Sequence, residues 1–375
     1  MNRSLFSVHL STAKTWRGGE HQILLLVKGL QARGHRVLVV APKNSPLLQR
    51  CEDCDIPTAA IRFRGSLDPL ATLRLISLLR RQRPDLLHVH DGHGLLPGQL
   101  AVRAFRRNPP HLVAHRRTIF TPRGRWKDQR LERIIAISQA VRDTLLRSGV
   151  PDEKIRVVYS GMEFPAPPSQ NEVQTFKAAH GLPQEGILIA HAAALSSEKR
   201  QRDMIEVLAV VNEKLKRGRK PSVHLALAGS GDQEAILRAA ARDLGVSEQV
   251  HFLGFVRDLR PFWASATMAC YASEAEGLCT ALIEAQGCGL PAVATRAGGM
   301  AEVVDDGISG VLTEVGDQQM MAQALLALCE DPRLRLRMGQ AAGERMRATF
   351  SAESMVEGNL NSYRELCERA QSVTT

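Results

Sequence analysis

Two carboxylates, Glu276 and Glu284, stand eight positions apart across a predicted loop-to-helix transition. The apolar run 266–272 before them is typical of a buried strand. The helix is predicted over about 279–289, where a glycine and a following proline end it. The sequence therefore places one carboxylate just before a helix and the other a turn or two inside it.

This spacing has a chemical use at a nucleotide-sugar site. Unpaired N–H groups at a helix start suit a diphosphate, and here they would come from the stretch Gly277, Leu278, Cys279 and Thr280. Glu284 could accept hydrogen bonds from ribose hydroxyls, and Glu276 could reach a sugar beyond the phosphates. Taken alone, the two glutamates fit an amphipathic helix with both side chains in solvent equally well.

The elements that would position these residues alternate between short apolar runs and helical patterns. The runs predicted as strands are 4–10, 37–41, 86–89, 111–114, 134–137, 187–192, 223–228, 250–252, 268–271 and 292–295. Such alternation predicts parallel sheets joined by helical crossovers, and 375 residues suffice for two domains. We expect an α/β protein with two Rossmann-like domains. In one predicted helix, 67–83, an apolar face is formed by Leu70, Leu73, Ile76 and Leu79.

A proline-rich stretch marks the expected domain boundary. Residues 161–170 contain three prolines, and polar residues follow up to Gly186. The predicted division is a first domain over 1–160, a linker over 161–185 and a second domain over 186–349. Residues 350–375 hold a further predicted helix with apolar positions at Met355, Leu360, Tyr363 and Leu366.

Positive charge is concentrated in the first half. Residues 1–160 hold 28 of the 49 Lys and Arg residues and 12 of the 39 Asp and Glu residues, a balance of +16 against −6 for the remainder. Such a half could meet nucleic acid, an anionic membrane or an acidic substrate. No RNA-binding or helix-turn-helix signature is present and aromatics are few, so we expect no nucleic acid. An ordinary basic surface is the alternative.

The segment 271–304 resembles the nucleotide-sugar site of the retaining glycosyltransferases of family 4 (glycosyl transferases group 1), which have the GT-B fold. The two carboxylates and the runs GLPAVA at 289–294 and GGMAE at 298–302 carry this resemblance. It implies two Rossmann-like domains facing a central cleft, with the C-terminal helix crossing back to the first domain. It also implies sugar transfer from a nucleoside diphosphate sugar, UDP or GDP, to an acceptor hydroxyl, without cofactor or metal.

The resemblance assigns three catalytic residues. Lys199, in AALSSEKR at 193–200, resembles the lysine that neutralises the departing diphosphate, and Glu276 would hold the donor sugar. His115, at a predicted strand end, would point toward that sugar, although a lone histidine is more often structural. Gly18 and Gly19 resemble the glycine-rich loop that faces the donor phosphates, and a plain tight turn explains them equally.

One position departs from the family pattern. An arginine usually stands five residues before the lysine, and here that position is Ala194. Arg200, or Arg202, could compensate, and Arg200 is assigned to donor binding. The Gly-x-Gly at 229–231 lacks the third glycine of a dinucleotide fingerprint.

Acceptor binding is assigned to residues that follow predicted strands of the first half, because ligands lie beyond the carboxyl ends of parallel strands. The assigned residues are Arg17, His90, Asp91, Arg116 and Arg117. A glycan or glycolipid of lipopolysaccharide or another cell-surface polysaccharide is the expected acceptor. A nucleotide-sugar epimerase or hydrolase of the same fold, or a non-catalytic scaffold at a membrane, are the alternatives.

The expected location is the cytoplasm, with peripheral binding to the inner face of the membrane. No apolar run reaches the roughly 18 residues that a spanning helix needs, and the N-terminus lacks the pattern of a signal peptide. Seven scattered cysteines, an odd number, favour a reducing compartment. The basic segment 123–127, with its tryptophan, suits an anionic membrane surface, and equally an exposed loop.

Overall fold

The computed structural model describes residues 4–65, 67–120 and 131–372. The chain divides into two compact units. Residues 1–161 together with 351–375 form the first unit, and residues 162–350 form the second. In the described part of the chain, no helix combines the length and the apolar character needed to cross a bilayer.

The first unit contains a seven-stranded sheet in the order β3-β2-β1-β4-β5-β6-β7, parallel throughout. Its strands are β1 (Phe6–Leu10), β2 (Arg36–Ala41), β3 (Thr58–Ala60), β4 (Leu86–Val89), β5 (His111–Arg116), β6 (Arg133–Ala136) and β7 (Ile155–Val157). Its helices are α1 (Gly18–Ala32), α2 (Pro46–Glu52), α3 (Pro69–Gln82), α4 (Gly92–Arg103), α5 (Gln139–Arg147) and α14 (Ala352–Ser372).

Helix α14 packs into the core of the first unit. Its apolar residues Met355, Val356, Leu360 and Tyr363 are buried in the same cluster as residues of α1, α2 and β2. The helices come close because α1 carries a glycine at the crossing, where a Cβ on Gly29 would lie 2.4 Å from a Val356 methyl. The last helix thus completes the apolar layer on one face of the first sheet.

The buried face of α3 differs from the predicted one. The helix buries Leu75, Leu78 and Leu79, whereas Leu70 and Leu73 are 60% and 61% exposed. Apolar residues occupy both faces of this helix, so the spacing of the leucines alone did not select the packed side. Two leucines of the predicted core therefore lie on the surface.

The second unit contains a six-stranded parallel sheet in the order β10-β9-β8-β11-β12-β13. Its strands are β8 (Ile187–Ala192), β9 (Val223–Ala228), β10 (Val250–Gly254), β11 (Met268–Tyr271), β12 (Ala292–Thr295) and β13 (Gly310–Thr313). Its helices are α6 (Gln170–Ala179), α7 (Gln201–Arg217), α8 (Glu234–Asp243), α9 (Arg260–Ser265), α10 (Thr280–Gly287), α11 (Met300–Val303), α12 (Gln318–Glu330) and α13 (Pro332–Thr349).

Part of the stretch predicted as a linker is folded. Residues 170–179 form α6, which begins with a capping box between Ser169 and Glu172. The helix packs against α9, where the rings of Phe176 and Phe262 lie 6.2 Å apart. Prolines and polar residues dominate the sequence around this short helix, so the helix was not predicted.

Candidate active site

Lys199 and Glu276, both predicted to contact the donor, meet beyond the carboxyl end of β11 in the second unit, whereas Gly18, Gly19 and His115 lie in the first unit. Lys199 ends a short 3₁₀ turn after β8, and its Nζ lies 2.7 Å from Oε1 of Glu276. The same carboxylate oxygen accepts a hydrogen bond from Ser273 Oγ at 3.0 Å. Both partners of the ion pair are largely buried, so this pair is less screened by water than a surface salt bridge.

The loop that carries Glu276 is held in shape by two glycines. The Gly299 N–H donates to the Glu276 carbonyl at 3.0 Å. A Cβ on Gly298, which has a φ of 53°, would lie 2.1 Å from that carbonyl oxygen, and a Cβ on Gly299 would lie 2.3 Å from the Gly277 carbonyl oxygen. Only glycine allows this approach, because a Cβ is not tolerated at such distances from backbone. The GGMAE run therefore shapes the loop before α10.

Helix α10 begins at Thr280, directly after this loop, and no side chain caps it by a hydrogen bond. Leu278 and Cys279 are buried, whereas Gly277 and Thr280 are partly exposed. A helix start without a capping side chain favours an anion, because its N–H groups and the helix dipole point toward the ligand. Lys199 adds a positive charge near the same loop through its bond to Glu276.

Glu284 lies on α10 with few hydrogen-bond partners. Trp263 Nε1 donates to its Oε2 at 3.4 Å, a long bond. Burial raises the pKa of Glu284, and the Trp263 hydrogen bond only partly opposes that shift. Among the described residues Glu284 has this one weak donor, and such a carboxylate can accept further hydrogen bonds. Ribose hydroxyls would supply such donors.

This geometry predicts that nucleotide affinity rises with pH through the titration of Glu284. Its pKa is above the ordinary value of 4.5 in the free protein, and hydroxyl donors stabilise the ionised form and lower that pKa in the complex. Binding therefore releases a proton, and affinity increases with pH between the pKa of Glu284 in the complex and its raised pKa in the free protein, then levels off. The stability of the free protein changes in the opposite direction to the affinity. It falls as the pH rises through the raised pKa of Glu284, because burial disfavours the ionised form.

The measurement is the dissociation constant of UDP across this pH range for wild type and Glu284→Gln. Glu284→Gln keeps the shape of the side chain and removes the carboxylate that titrates. The ionisation of UDP itself affects both proteins equally. We expect the slope of affinity against pH to be shallower in the variant. Parallel profiles for the two proteins would place the ribose away from Glu284.

Arg200 and Arg202 could replace the arginine that is missing at position 194, but each is already bonded to a carboxylate. Arg200, in the left-handed backbone region, donates two hydrogen bonds to Asp203 at 2.9 and 2.7 Å. Arg202 is paired with Glu206 at 2.9 Å. Ala194 contributes its carbonyl, which accepts a bond from the Gln201 amide at 2.8 Å. In this conformation Lys199 is the cation nearest to the α10 loop among these residues.

His115 lies in β5 of the first unit, within a network of buried imidazoles. It stacks on His88, with ring centroids 5.2 Å apart, and its Nδ1 lies 3.3 Å from His88 Nε2. His88 Nδ1 is 2.5 Å from the hydroxyl of Tyr363, which α14 contributes. Burial lowers the pKa of His88, His90 and His115 well below 6.5, and neighbouring positive charges act in the same direction. These rings are therefore neutral at physiological pH.

A second branch of this network runs from β1. Ser7 Oγ lies 2.8 Å from His9 Nε2, and His9 Nδ1 lies 3.0 Å from His90 Nε2. The ring nitrogens of His9, His88 and His90 lie within 4.8 Å of one another, a spacing that a metal ion could also use. Hydrogen bonds among Ser7, Tyr363 and the rings account for this spacing.

The residues predicted to bind the acceptor line one cavity of about 320 Å³ in the first unit. The cavity lies where β1, β4 and β5 end, and its lining includes Arg17, Gly19, His90, Asp91, His115, Arg116 and Arg117. Asp91 caps α4 by accepting from the N–H groups of His93 and Gly94. Glu20, which the sequence did not single out, also lines the cavity and accepts from the Arg17 N–H at 3.0 Å.

Comparison with known proteins decides the family. Residues 172–345 match the family described as glycosyl transferases group 1, and residues 16–164 match the one described as glycosyltransferase family 4. The chain belongs to the group 1, family 4 glycosyltransferases. The first matched region contains Lys199, Glu276 and Glu284, and the second contains the cavity of the first unit.

Individual relatives of this group 1 glycosyltransferase agree with the assignment. EpsD of Bacillus subtilis (strain 168), which is named as a glycosyltransferase, is 28% identical over 355 residues, or 90% of this chain and 91% of EpsD. LpsE of Rhizobium meliloti (strain 1021), a lipopolysaccharide core biosynthesis glycosyltransferase, is 34% identical over 142 residues, or 38% of this chain and 42% of LpsE. The structure of Anabaena HepE in complex with UDP superposes with a TM-score of 0.82 at 22% identity, covering 96% of this chain and all of HepE.

The predicted fold class is confirmed: this glycosyltransferase is a two-domain α/β protein of the GT-B fold. Sequence spacing did not reveal Trp263 or Ser273 as partners of the site glutamates. Trp263 lies 21 positions before Glu284, on another helix, so no local pattern connects them. Ser273 lies only three positions before Glu276, so this partner was easier to predict from the sequence than Trp263.

Proposed function

We propose that this glycosyltransferase moves a sugar from a nucleoside diphosphate sugar to a hydroxyl of a glycan or glycolipid, with retention at the anomeric carbon. The observation that carries the proposal is the Lys199–Glu276 pair at the uncapped start of α10, with the poorly paired Glu284 further along that helix. These groups supply a cation, the positive end of a helix dipole and two carboxylate acceptors. A nucleotide sugar has a complementary group for each of them.

In the proposed reaction the bond between the anomeric carbon and the diphosphate oxygen breaks while the acceptor oxygen bonds to the same carbon. Negative charge develops on the departing diphosphate, and Lys199 and the N–H groups of α10 stabilise it. The acceptor proton passes to the diphosphate on the same face of the sugar. Glu276 holds the sugar hydroxyls, and Glu284 holds the ribose. No carboxylate serves as nucleophile, unlike in retaining glycosidases.

The diphosphate would compete with Glu276 for Lys199. In the free protein the ammonium donates to Glu276 at 2.7 Å, so donor binding would draw Lys199 toward the phosphates and release carboxylate acceptor sites for sugar hydroxyls. Because the lysine and the helix start supply the positive charge, the scheme requires neither a metal ion nor a further cofactor.

The relatives support a choice of donor and of acceptor class. HepE has been solved with UDP and with UDP and glucose, which favours UDP over GDP as the carrier. LpsE acts in lipopolysaccharide core biosynthesis, which supports a role in lipopolysaccharide or another cell-surface polysaccharide of the envelope. His115, Gly18, Gly19 and Arg200 remain proposed donor contacts.

The test is release of nucleoside diphosphate from a panel of UDP-sugars and GDP-sugars, with and without a lipid-linked saccharide fraction, in the presence of EDTA. We expect release that depends on the saccharide, and the anomeric proton coupling of the product should match that of the donor. Equal release without acceptor would indicate a hydrolase. An inverted product, or loss of activity in EDTA, would contradict the retaining or the metal-independent part of the proposal.

We also propose that the first unit binds the anionic inner face of the membrane from the cytoplasm. Leu67, two residues before α3, and Leu70 and Leu73, in its first turns, are 83%, 60% and 61% exposed. Exposed arginines follow on the same helix, at positions 74, 80 and 81. Exposed leucines next to arginines suit the boundary between acyl chains and anionic headgroups, and the +16 balance of residues 1–160 is complementary to such a surface. The segment 123–127, predicted for this role, lies outside the described residues.

Replacing Leu67, Leu70 and Leu73 together by serine is expected to reduce sedimentation with phosphatidylglycerol vesicles about tenfold. Three partly inserted leucines contribute at least about 1.4 kcal/mol together, and that is a factor of ten in partitioning. The matched control is Ile236→Ser with Phe255→Ser, which removes two exposed apolar residues from the second unit. Unchanged binding by the leucine variant, or a wild-type dimer that the variant dissociates, would contradict membrane docking by α3.

A further inference from the structure

Arg117 is a partly buried arginine whose guanidinium has no hydrogen-bond acceptor among the described residues. Its Nε is inaccessible to solvent and without a partner, and Arg117 lines the cavity of the first unit. A guanidinium offers five N–H donors in a planar fork that fits an oxyanion. Buried charges without a partner are costly, so they are uncommon unless a ligand completes them.

The carboxylates near Arg117 are occupied by other donors. Asp91 accepts from Thr12, through the N–H at 2.6 Å and the hydroxyl at 2.7 Å, besides capping α4. Glu20 accepts from the Arg17 N–H. These two acids attract Arg117 only at longer range, and three arginines line the cavity against them. The cavity therefore has one net positive charge.

Two helices add to this positive field. Helices α1 and α4 begin at Gly18 and Gly92, beside the cavity, so the positive ends of both helix dipoles lie there. Gly19 lies beside the guanidinium, since a Cβ at this position would be in ordinary contact with Arg117 Nε at 3.7 Å. The Nε itself is buried, so an incoming group would approach the guanidinium from the cavity that Arg117 lines.

His90 supplies a further polar atom without a partner. The side chain is only 5% exposed and lines the cavity, and its Nδ1 has no hydrogen-bond partner. If Ser7 donates to His9 Nε2, then His9 Nδ1–H donates to His90 Nε2, and the proton of His90 is on Nδ1. This tautomer presents an N–H donor at the cavity. An oxyanion in the cavity would favour this tautomer over the one with the proton on Nε2.

We propose that this cavity binds a phosphate or carboxylate group of the acceptor, with Arg117 as the residue that recognises it. The inference rests on the proposed function, because it assigns the anion to the sugar acceptor. The diphosphate of the donor is the other possible source of an oxyanion. Acceptors without an anionic group are then expected to be poor substrates.

The experiment is calorimetric titration of the full-length protein with inorganic phosphate, with and without saturating UDP. We expect Arg117→Gln to weaken phosphate binding about tenfold or more, since hydrogen bonds to charged groups are lost. Arg117→Lys keeps the charge without the planar fork and should bind with intermediate affinity. The matched control is Arg142→Gln, which removes an exposed arginine paired with Asp152 in the same unit, outside this cavity.

Phosphate binding that persists in saturating UDP and is weakened in both Arg117 variants would support the proposal. Displacement of phosphate by UDP would assign the anion to the donor and overturn it. Equal phosphate affinity in wild type and either variant, with the thermal unfolding temperature unchanged, would overturn it as well. Failure of UDP itself to bind would count against the proposed function, independently of the phosphate result.

Discussion

Replacing Lys199 by alanine is expected to lower kcat by about 10²-fold or more, the size of effect seen when one stabilising donor is removed from a transition state. The lysine is largely buried and hydrogen-bonded at 2.7 Å to Glu276, so it is positioned before the donor arrives. Charge on the departing diphosphate grows toward the transition state, and so does its attraction to the ammonium. KM for the donor should change less than kcat.

The control for this loss is Lys220→Ala. Lys220 lies in the same unit and is also bonded to a glutamate at 2.7 Å, that of Glu330, but both partners are exposed. A surface pair of this kind contributes little to stability, so we expect near wild-type kcat. Wild-type turnover in Lys199→Ala, measured under saturating donor, would show that another residue neutralises the diphosphate.

Replacing Gly299 by alanine is expected to lower kcat/KM about 10²-fold without removing any chemical group from the site. The new Cβ would lie 2.3 Å from the Gly277 carbonyl oxygen, where 3.0 Å is the closest that real contacts allow. The Cβ is fixed to its own backbone and meets a backbone carbonyl, so the loop between Glu276 and α10 must shift by roughly 0.7 Å or more. A displacement of about 1 Å at a reacting group can reduce the rate 100-fold.

The same variant should lose about 1–3 kcal/mol of stability, as overpacked sites do. Gly218→Ala is the matched control, because a Cβ there meets only ordinary contacts, the nearest at 3.4 Å. Steady-state kinetics and thermal unfolding of both variants measure the effect. A Gly299→Ala enzyme with wild-type kcat/KM would show that the shape of this loop does not determine donor binding.

The predictable part of the fold is the part with a strong local signal. The strands β4, β8, β9, β11 and β12 have the predicted bounds, because each is an apolar run closed by polar residues or turns. Helix α3 was the opposite case. Leucines and an isoleucine stand on both of its faces, and only packing against the sheet decides that Leu75, Leu78 and Leu79 are buried.

The sequence named candidate residues for the site but not the pairs that their side chains form. The 77 positions between Lys199 and Glu276 carry no signal that the two side chains meet. The ion pair between Arg200 and Asp203 could have been predicted, because residues three apart near a helix start are neighbours. The buried network of His9, His88, His90 and His115 depends on three adjacent strands, β1, β4 and β5, and on Tyr363 from the last helix. Such a network is a property of the folded unit.

The most direct test of the donor site is calorimetric binding of UDP and GDP to wild type and to Glu284→Ala. We expect one of these nucleotides to bind the wild type, and the alanine variant to lose about 1–3 kcal/mol of binding free energy as ribose hydrogen bonds to a charged group disappear. UDP is the expected ligand. Equal dissociation constants for the two proteins, or no binding of either nucleotide to the wild type, would contradict a nucleotide-sugar site on α10.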